Sequence, residues 1–342
     1  MANNTAKNRL QFWLGMAISV ACLVALFILI DPREIVEALR TAHYGYVALS
    51  AAGIIAFLFL RGIRWRFMLE NKVDYRRVFH IQNVGYLLTY ILPFRLGDVG
   101  RAVLIGNVPP ITLAQGISTM VVERVLDLLF IVTLLPFTLA NVAALAPAIR
   151  NAARISALVA LSAIVVLVLA ANYRGLALRI FRTILSRLPF LDVERWSRHF
   201  NQLLEGLSSL TRLKDGLFLA FLSVLIWVPI VLAYYSGMRA VGLQPTLVMS
   251  GFVVCAAALS ITAPSSPGQV GVFHAGVTFA LVQILRQPQA ASASFAFLYH
   301  AINFAVVIVL GLFGVYSIGA TLGNVIRASQ DLLRRNKEDI HA

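Results

Sequence analysis

Residues 12–30, FWLGMAISVACLVALFILI, run for nineteen positions without a charged side chain. About 20 such residues in a helix cross the roughly 30 Å of hydrocarbon in a bilayer. Further apolar stretches follow at 44–60, 113–140, 154–172, 216–238, 246–263 and 290–322, with a shorter one at 270–285. Backbone surrounded by lipid must satisfy its own polar groups, which leaves helices or a closed barrel. These runs are continuous and do not alternate with period two, so the barrel is disfavoured. The expected fold class is all-α: a polytopic membrane protein of about seven or eight transmembrane helices plus re-entrant or broken helices.

Composition agrees. Of 342 residues, 59% are hydrophobic and 13% charged, against about 25% charged in a soluble domain. The formal net charge of +14 is scattered over membrane-flanking loops, which argues against nucleic acid and for contact with anionic lipid. Lys7 and Arg9 precede the first run, and the stretch RGIRWRFMLENKVDYRR after residue 60 is densely basic. The positive-inside rule then places the N-terminus and that stretch in the cytoplasm, with residues 31–43 forming the opposite loop. Arg327, Arg334, Arg335 and Lys337 return the C-terminus to the cytoplasm. The first run continues well past Cys22, so it reads as a retained helix of the cytoplasmic (inner) membrane and not a cleaved signal. Cys22 and Cys255 both sit inside apolar runs and read as small core residues.

The resulting organisation is a single integral membrane domain. Half one covers about 1–172, a cytoplasmic amphipathic region 173–214, half two about 215–322, and a tail 323–342. In LALRIFRTILSRLPF, leucines recur between arginines at helical spacing. That pattern suits helices lying in the headgroup layer, or an ordinary basic cytoplasmic loop.

Two interruptions break the apolar pattern. LPFRLGDVG, residues 92–100, separates short apolar stretches at 78–92 and 99–108 and predicts a re-entrant hairpin or a broken pair. APSSPGQVG, residues 263–271, does the same in the second half. Pro93, Gly97, Val99 and Gly100 recur as Pro264, Gly268, Val270 and Gly271, an offset of 171 residues, half the chain. The expected helix breaks are Pro93, Gly97, Gly100, Pro264, Pro267 and Gly271, and their echo predicts a two-half internal repeat. Backbone freed at such breaks needs cover from protein or a wet cavity, and interrupted segments in corresponding halves point to a transporter site.

Polar residues gather at these breaks. Arg95, Asp98 and Arg101 surround the first. In VVERVLDLLF, Glu123 and Asp127 stand at i and i+4 with Arg124 beside them. Charges at membrane depth pair or line water, so these residues are candidates for a headgroup site or for a structural ion-pair network. Gly268, Gln269 and His274 belong to the second break, while His300 and Asn303, at i and i+3, share one face of the last run. Intramembrane histidines either relay protons or simply hydrogen-bond.

The stretches NVGYLLTYILPFRLGDVGRAVLI, STMVVERVLDLLF and APSSPGQVGVFHAG resemble the lysylphosphatidylglycerol synthase transmembrane-domain family of flippase-like membrane proteins. Asn83, Pro93, Arg95, Gly97, Asp98 and Arg101 match its first motif. Glu123, Arg124 and Asp127 match its second, and Pro264, Pro267, Gly268 and Gly271 its third. Two places depart from the family pattern: Gln269 and His274 stand where a glycine and an acidic residue are usual, and His300 stands near a usual arginine. The resemblance implies lipid translocation or handling. Bifunctional members add a soluble aminoacyltransferase domain. Here the last apolar run ends near 322 of 342 residues, so a stand-alone member without synthase activity is expected.

The expected ligand is an anionic membrane lipid or lipid-linked substrate, held by the eleven residues from Arg95 to Asn303 named at the breaks. No P-loop, HExxH or cysteine cluster indicates a cofactor, a metal or a catalytic centre. An enzyme of lipid modification and a scaffold for lipid-biosynthesis enzymes remain as alternatives, and a homo-oligomer is compatible with either.

Overall fold

The computed structural model describes residues 2–29, 31–91, 96–140, 151–159, 173–186, 213–263 and 265–319, together with 147–148, 162, 193–194, 196–197 and 323. Among the described residues there is no strand. Helices let each segment satisfy its own amides, which hydrocarbon requires. The protein is an all-helical membrane protein. Its helices are α1 (Ala2–Leu29), α2 (Pro32–Arg40), α3 (Tyr44–Met68), α4 (Tyr75–Ile91), α5 (Leu96–Gly106), α6 (Leu113–Ala140), α7 (Arg174–Leu185), α8 (Leu213–Ala240), α9 (Leu247–Ser260), α10 (Val272–Phe279) and α11 (Gln289–Ser317). A helical run over 151–159 lies between α6 and α7.

Three of the described helices are long and apolar enough to cross a membrane: Tyr44–Met68, Lys214–Ala240 and Gln289–Ser317. A fourth span follows if Met16–Ile28 and Pro32–Arg40, bent by 83°, count as one. The bend sits where Asp31 caps α2, its Oδ1 accepting from the Arg33 N–H at 2.8 Å, with Pro32 in the first turn. An N-cap carboxylate followed by proline is a strong helix start. Residues 31–43 are therefore not a plain loop, and Ile35 is buried against Leu26 and Ala293.

The long helices α3 and α8 pack backbone to backbone. A Cβ on Gly53 would lie 2.7 Å from the Pro229 carbonyl oxygen and 2.9 Å from the Ala233 Cβ. Ser50 Oγ donates to the Ala233 carbonyl at 2.9 Å. Small residues at such crossings let helices approach where lipid gives no hydrophobic drive. On the other side α4 lies along α11, where Gly311 and Gly314 sit against Leu87 and the His80 carbonyl.

The short helices form hairpins. At about 1.5 Å per residue, the eleven residues of α5 rise only about 16 Å, half the hydrocarbon thickness. α5 instead folds back on α4, with Gly97 against Gly85 and Thr89, and Gly85 against the Arg101 side chain. That order of contacts makes the pair antiparallel. Residues 92–95 join the two helices and lie outside the described residues, so the expected break at Pro93 does too. In the second hairpin α9 returns as α10, Ser260 lying against Gly276. Its connection contains a 3₁₀ turn, Pro267–Gln269, and a π-helical turn, Ala280–Ile284, follows α10. Gly268, Gln269 and Gly271 have φ of 71°, 60° and 85°. At Gly271 no side chain fits, because a Cβ would lie 2.2 Å from the Ser19 carbonyl oxygen of α1. Pro264 lies outside the described residues.

Two further stretches of the expected organisation are only partly described. Within 173–214, α7 exposes Leu176 and Ile180 while Leu185 is buried. Much of 187–212, most of 160–172 and the tail from 324 lie outside the described residues.

Closure of the first hairpin makes a test. A Cβ on Gly97 would sit 2.0 Å from both the Gly85 carbonyl oxygen and Thr89 Oγ1, whereas one on Gly175 meets nothing within 4 Å. Gly97→Ala is expected to cost about 1–3 kcal/mol or more through overpacking, with a lower thermal unfolding midpoint in detergent. Gly175→Ala should leave that midpoint in place; equal midpoints for both variants would contradict the hairpin contact.

Candidate functional site

Arg61, Arg64 and Trp65 stand at i, i+3 and i+4 of α3 and so share one face. Glu123 and Asp127 do the same on α6. Packing brings these faces together with Arg101 of α5. Arg61 Nη2 bridges both carboxylates, donating to Glu123 and, at 2.6 Å, to Asp127 Oδ2. Arg64 Nη2 donates to Asp127 Oδ1 at 2.7 Å. Arg101 takes the other side of Glu123, with Nη2 3.0 Å from Oε2. The Arg101 guanidinium stacks 4.3 Å above the Trp65 ring, whose Nε1 donates to Thr119 Oγ1 at 3.0 Å.

Burial sets the energetics. Arg64 is 0% exposed, Arg101 1% and Glu123 3%. Charges this far from water persist only when paired and hydrogen-bonded. The stem of Arg101 reaches the cluster by crossing α4 at Gly85, where a Cβ would lie 2.0 Å from Arg101 Cγ. Glycine at 85 is thus a condition for the ion pair. Beside this core, Arg124 pairs with Asp98 in a half-exposed setting. Taken together, three guanidiniums meet two carboxylates, while Arg124 and Asp98 cancel. Among the described residues of this cluster, one positive charge is in excess.

That excess borders a cavity of about 440 Å³. Arg61, Arg124 and Asp127 form its charged end, while Gln269, His300 and Asn303 approach from the second half of the chain. Between them lie Phe57, Ile131, Trp227, Ile230, Val254 and Ile261, an apolar wall from α3, α6, α8 and α9. Tyr90, at the end of α4, bonds through its hydroxyl to the Asn303 side chain and so closes the first hairpin on α11. The His300 ring packs against that of His274, tilted by 39° with ring centroids 4.8 Å apart. His274 itself is buried behind it, its Nδ1 accepting from the Gly271 N–H at 3.2 Å.

The expected site residues therefore separate into groups. Arg124, Asp127, Gln269, His300 and Asn303 line one cavity although they come from distant parts of the chain. Glu123 stands behind Arg61 and holds it, Arg101 pairs with the other oxygen of Glu123, and Asp98 holds Arg124. Gly97 and Gly100, expected as helix breaks, instead lie within α5, where Gly97 packs against Gly85 and Thr89. Gly268 is buried in the turn facing Tyr90, Pro267 opens that turn, and Gly271 starts α10. Arg95 lies outside the described residues.

Sequence reading missed Arg61 and Arg64, assigning them to a basic cytoplasmic loop. The helix instead continues to Met68, because α6 supplies both arginines with carboxylates at 2.7 Å or closer. The i, i+3, i+4 spacing of two arginines and a tryptophan was the available signal. The aromatic wall of Trp227, Tyr234, Phe273 and Tyr299 also escaped notice, since core aromatics look alike in sequence.

Fold and site together define a helical integral membrane protein with a charged, half-apolar cavity between two helical hairpins. The family model described as the lysylphosphatidylglycerol synthase TM region matches residues 12–311, and the chain belongs to that family. Glycosyltransferase AglD of Haloferax volcanii is 27% identical over 360 aligned residues, covering 95% of this chain. The chain spans 57% of that relative's length. A UPF0104 membrane protein of Methanothermobacter thermautotrophicus is 25% identical, over 86% of this chain and 90% of the relative. A second from that organism is 23% identical over 90% and 95%. No solved structure matches the chain.

The two kinds of ion pair differ in consequence. Glu123→Gln leaves the buried Arg101 without its carboxylate and Arg61 with Asp127 alone, and is expected to cost about 3–5 kcal/mol. Asp98→Asn breaks a half-exposed pair and should cost about 1 kcal/mol or less. Thermal unfolding of the two variants in one detergent checks this, and an equal loss would argue against the buried cluster.

Proposed function

We propose that the protein is a flippase-like lipid transporter that moves or handles an anionic phospholipid or lipid-linked intermediate. The observation that carries this reading is the buried positive charge left over where three arginines meet Glu123 and Asp127 at one end of an amphipathic cavity. Planar guanidiniums suit a phosphate, offering fixed donors as well as charge. The apolar wall suits the first carbons of a lipid, whose chains stay in the bilayer while the headgroup crosses.

The finer organisation belongs to the same proposal. The chain forms two structural halves, and each hairpin is preceded by one long helix and followed by another: α3 and α6 around the first, α8 and α11 around the second. Counting α1 and the stretch at 154–172 with α3, α6, α8 and α11, the chain crosses six times outside the hairpins, and the expected seven or eight spans would need hairpin helices as well. Basic flanks place it in the cytoplasmic membrane with both termini and the 173–214 region inside. That region, with its arginines, is the surface on which lipid-biosynthesis enzymes would dock, and a homo-oligomer is compatible with the lipid-facing helices. The domain is not itself an enzyme.

A second reading draws on the relative named a glycosyltransferase, of which this chain matches 57%. On that reading the membrane domain serves lipid-linked sugar chemistry. Conversion of a lipid acceptor and a sugar donor to a new glycolipid by the purified chain alone would place it first.

Arg124 lines the cavity and its side chain is 50% exposed, so Arg124→Gln should fold. Mass spectrometry of lipid retained on purification is expected to find one anionic class enriched in the wild type and reduced about tenfold in the variant, the loss of one charged hydrogen-bond donor. Bulk lipid retained equally by both would overturn the headgroup site.

A further inference from the structure

We infer that His274 and His300 form a proton-binding site coupled to occupancy of the cavity, with the N–H of Gly271 as its latch. The coupling half of this inference rests on the anionic-headgroup reading above.

The argument starts with one lone pair. The Gly271 N–H donates to His274 Nδ1, so the neutral ring carries its proton on Nε2. A second proton has only Nδ1 to occupy, and there it sets one donor against another. Proton and latch exclude each other. The latch matters because of where Gly271 stands. It opens α10 at a φ of 85° and presses against the Ser19 carbonyl of α1, while Ser19 Oγ accepts from the Ser266 N–H at 2.8 Å. Losing the Gly271 bond removes one of the hydrogen bonds that tie residues 265–271, the turn that carries Gln269 into the cavity wall, to their neighbours.

His300 supplies the route. It lines the cavity and packs against His274, which is 2% exposed and does not line it. Two imidazolium rings this close repel, so the pair holds one proton. No permanent charge on the elements that carry the pair balances it: α9, the turn, α10 and α11 contain no Asp, Glu, Lys or Arg among their described residues. The charges of α2, which packs on α11 beside Phe297, are the exposed Arg33, Glu34, Glu37 and Arg40. The titratable groups on the elements that carry the pair are Tyr299, Tyr316, Cys255 and the two histidines, with Cys22 on α1, Tyr234 on α8 and Tyr90 on α4 nearby. Arg76, Arg77 and His80 of α4 stand about 15 Å of helix rise or more from Tyr90. Lys7 and Arg9 of α1 stand about 15 Å of helix rise or more before Ser19. Across the cavity are Arg61, Arg124 and Asp127, the first two with like charge. A proton on the pair thus needs an anion in the cavity, and an anion there draws the proton in. Reciprocal coupling is the thermodynamic consequence.

The test uses the full-length chain in detergent with dihexanoyl phosphatidylglycerol as the probe. Calorimetric titration near pH 6, where free imidazole titrates, is repeated in buffers of different ionisation enthalpy to count protons. The expected result is uptake of up to about one proton per lipid bound, with affinity rising up to about tenfold per pH unit as pH falls. In His274→Asn the amide oxygen still accepts from Gly271 but the side chain has no basic lone pair. Binding should persist there with proton uptake reduced or lost. Binding by the wild type with no buffer dependence, or the same uptake in wild type and His274→Asn, would overturn the coupling while leaving the headgroup site standing. No binding at any pH would instead sink the headgroup reading and the coupling with it.

Discussion

The carboxylates of Glu123 and Asp127 are the hub on which the first half of the structure turns. Each accepts from two arginines, and those arginines belong to α3 and α5. At membrane depth an unpaired guanidinium is costly, so α3, α5 and α6 must keep their relative positions for any of the five charges of the cluster to be tolerable. Local packing then follows: Gly85 gives way to Arg101, Trp65 stacks beneath it, and Thr119 holds the Trp65 ring.

Such a cluster is a poor source of net stability, since well-packed apolar residues serve as well or better. On the proposed function its odd charge has another use. An apolar replacement would hold the helices together but leave nothing for an anion to meet. The cavity sits where this charge, the apolar wall of α8 and α9, and the polar residues of α11 converge. Neither half of the chain contains all three.

The second half solves a similar problem with neutral groups. Where the first hairpin is tied by ion pairs, the second is tied by backbone and side-chain hydrogen bonds to Ser19 and His274. Positive φ at Gly268, Gln269 and Gly271 turns the chain within a few residues. A neutral tie can be undone by a single proton; an ion pair involving arginine cannot, because guanidinium keeps its charge. This contrast is also where the chain departs from the family pattern, with histidines at 274 and 300.

Much of this was legible in the sequence. Apolar runs fixed helices as the only building element, because hydrocarbon offers the backbone no other partner. Pro and Gly marked both hairpins, and the i, i+4 spacing of Glu123 and Asp127 marked an acidic face. Five of the expected site residues do line one cavity. What sequence left open was partnership. Arg61 and Arg64 sit in a basic stretch that charge counting sends to the cytoplasm, and only the docking of α6 against α3 shows them to be buried. Arg101 and His274 look like site residues in the chain but stand one layer behind the cavity in the fold. Local spacing tells which residues share a face; which face it meets depends on contacts between residues far apart in the chain, such as 61 with 127 and 90 with 303, and those exist only once the helices have packed.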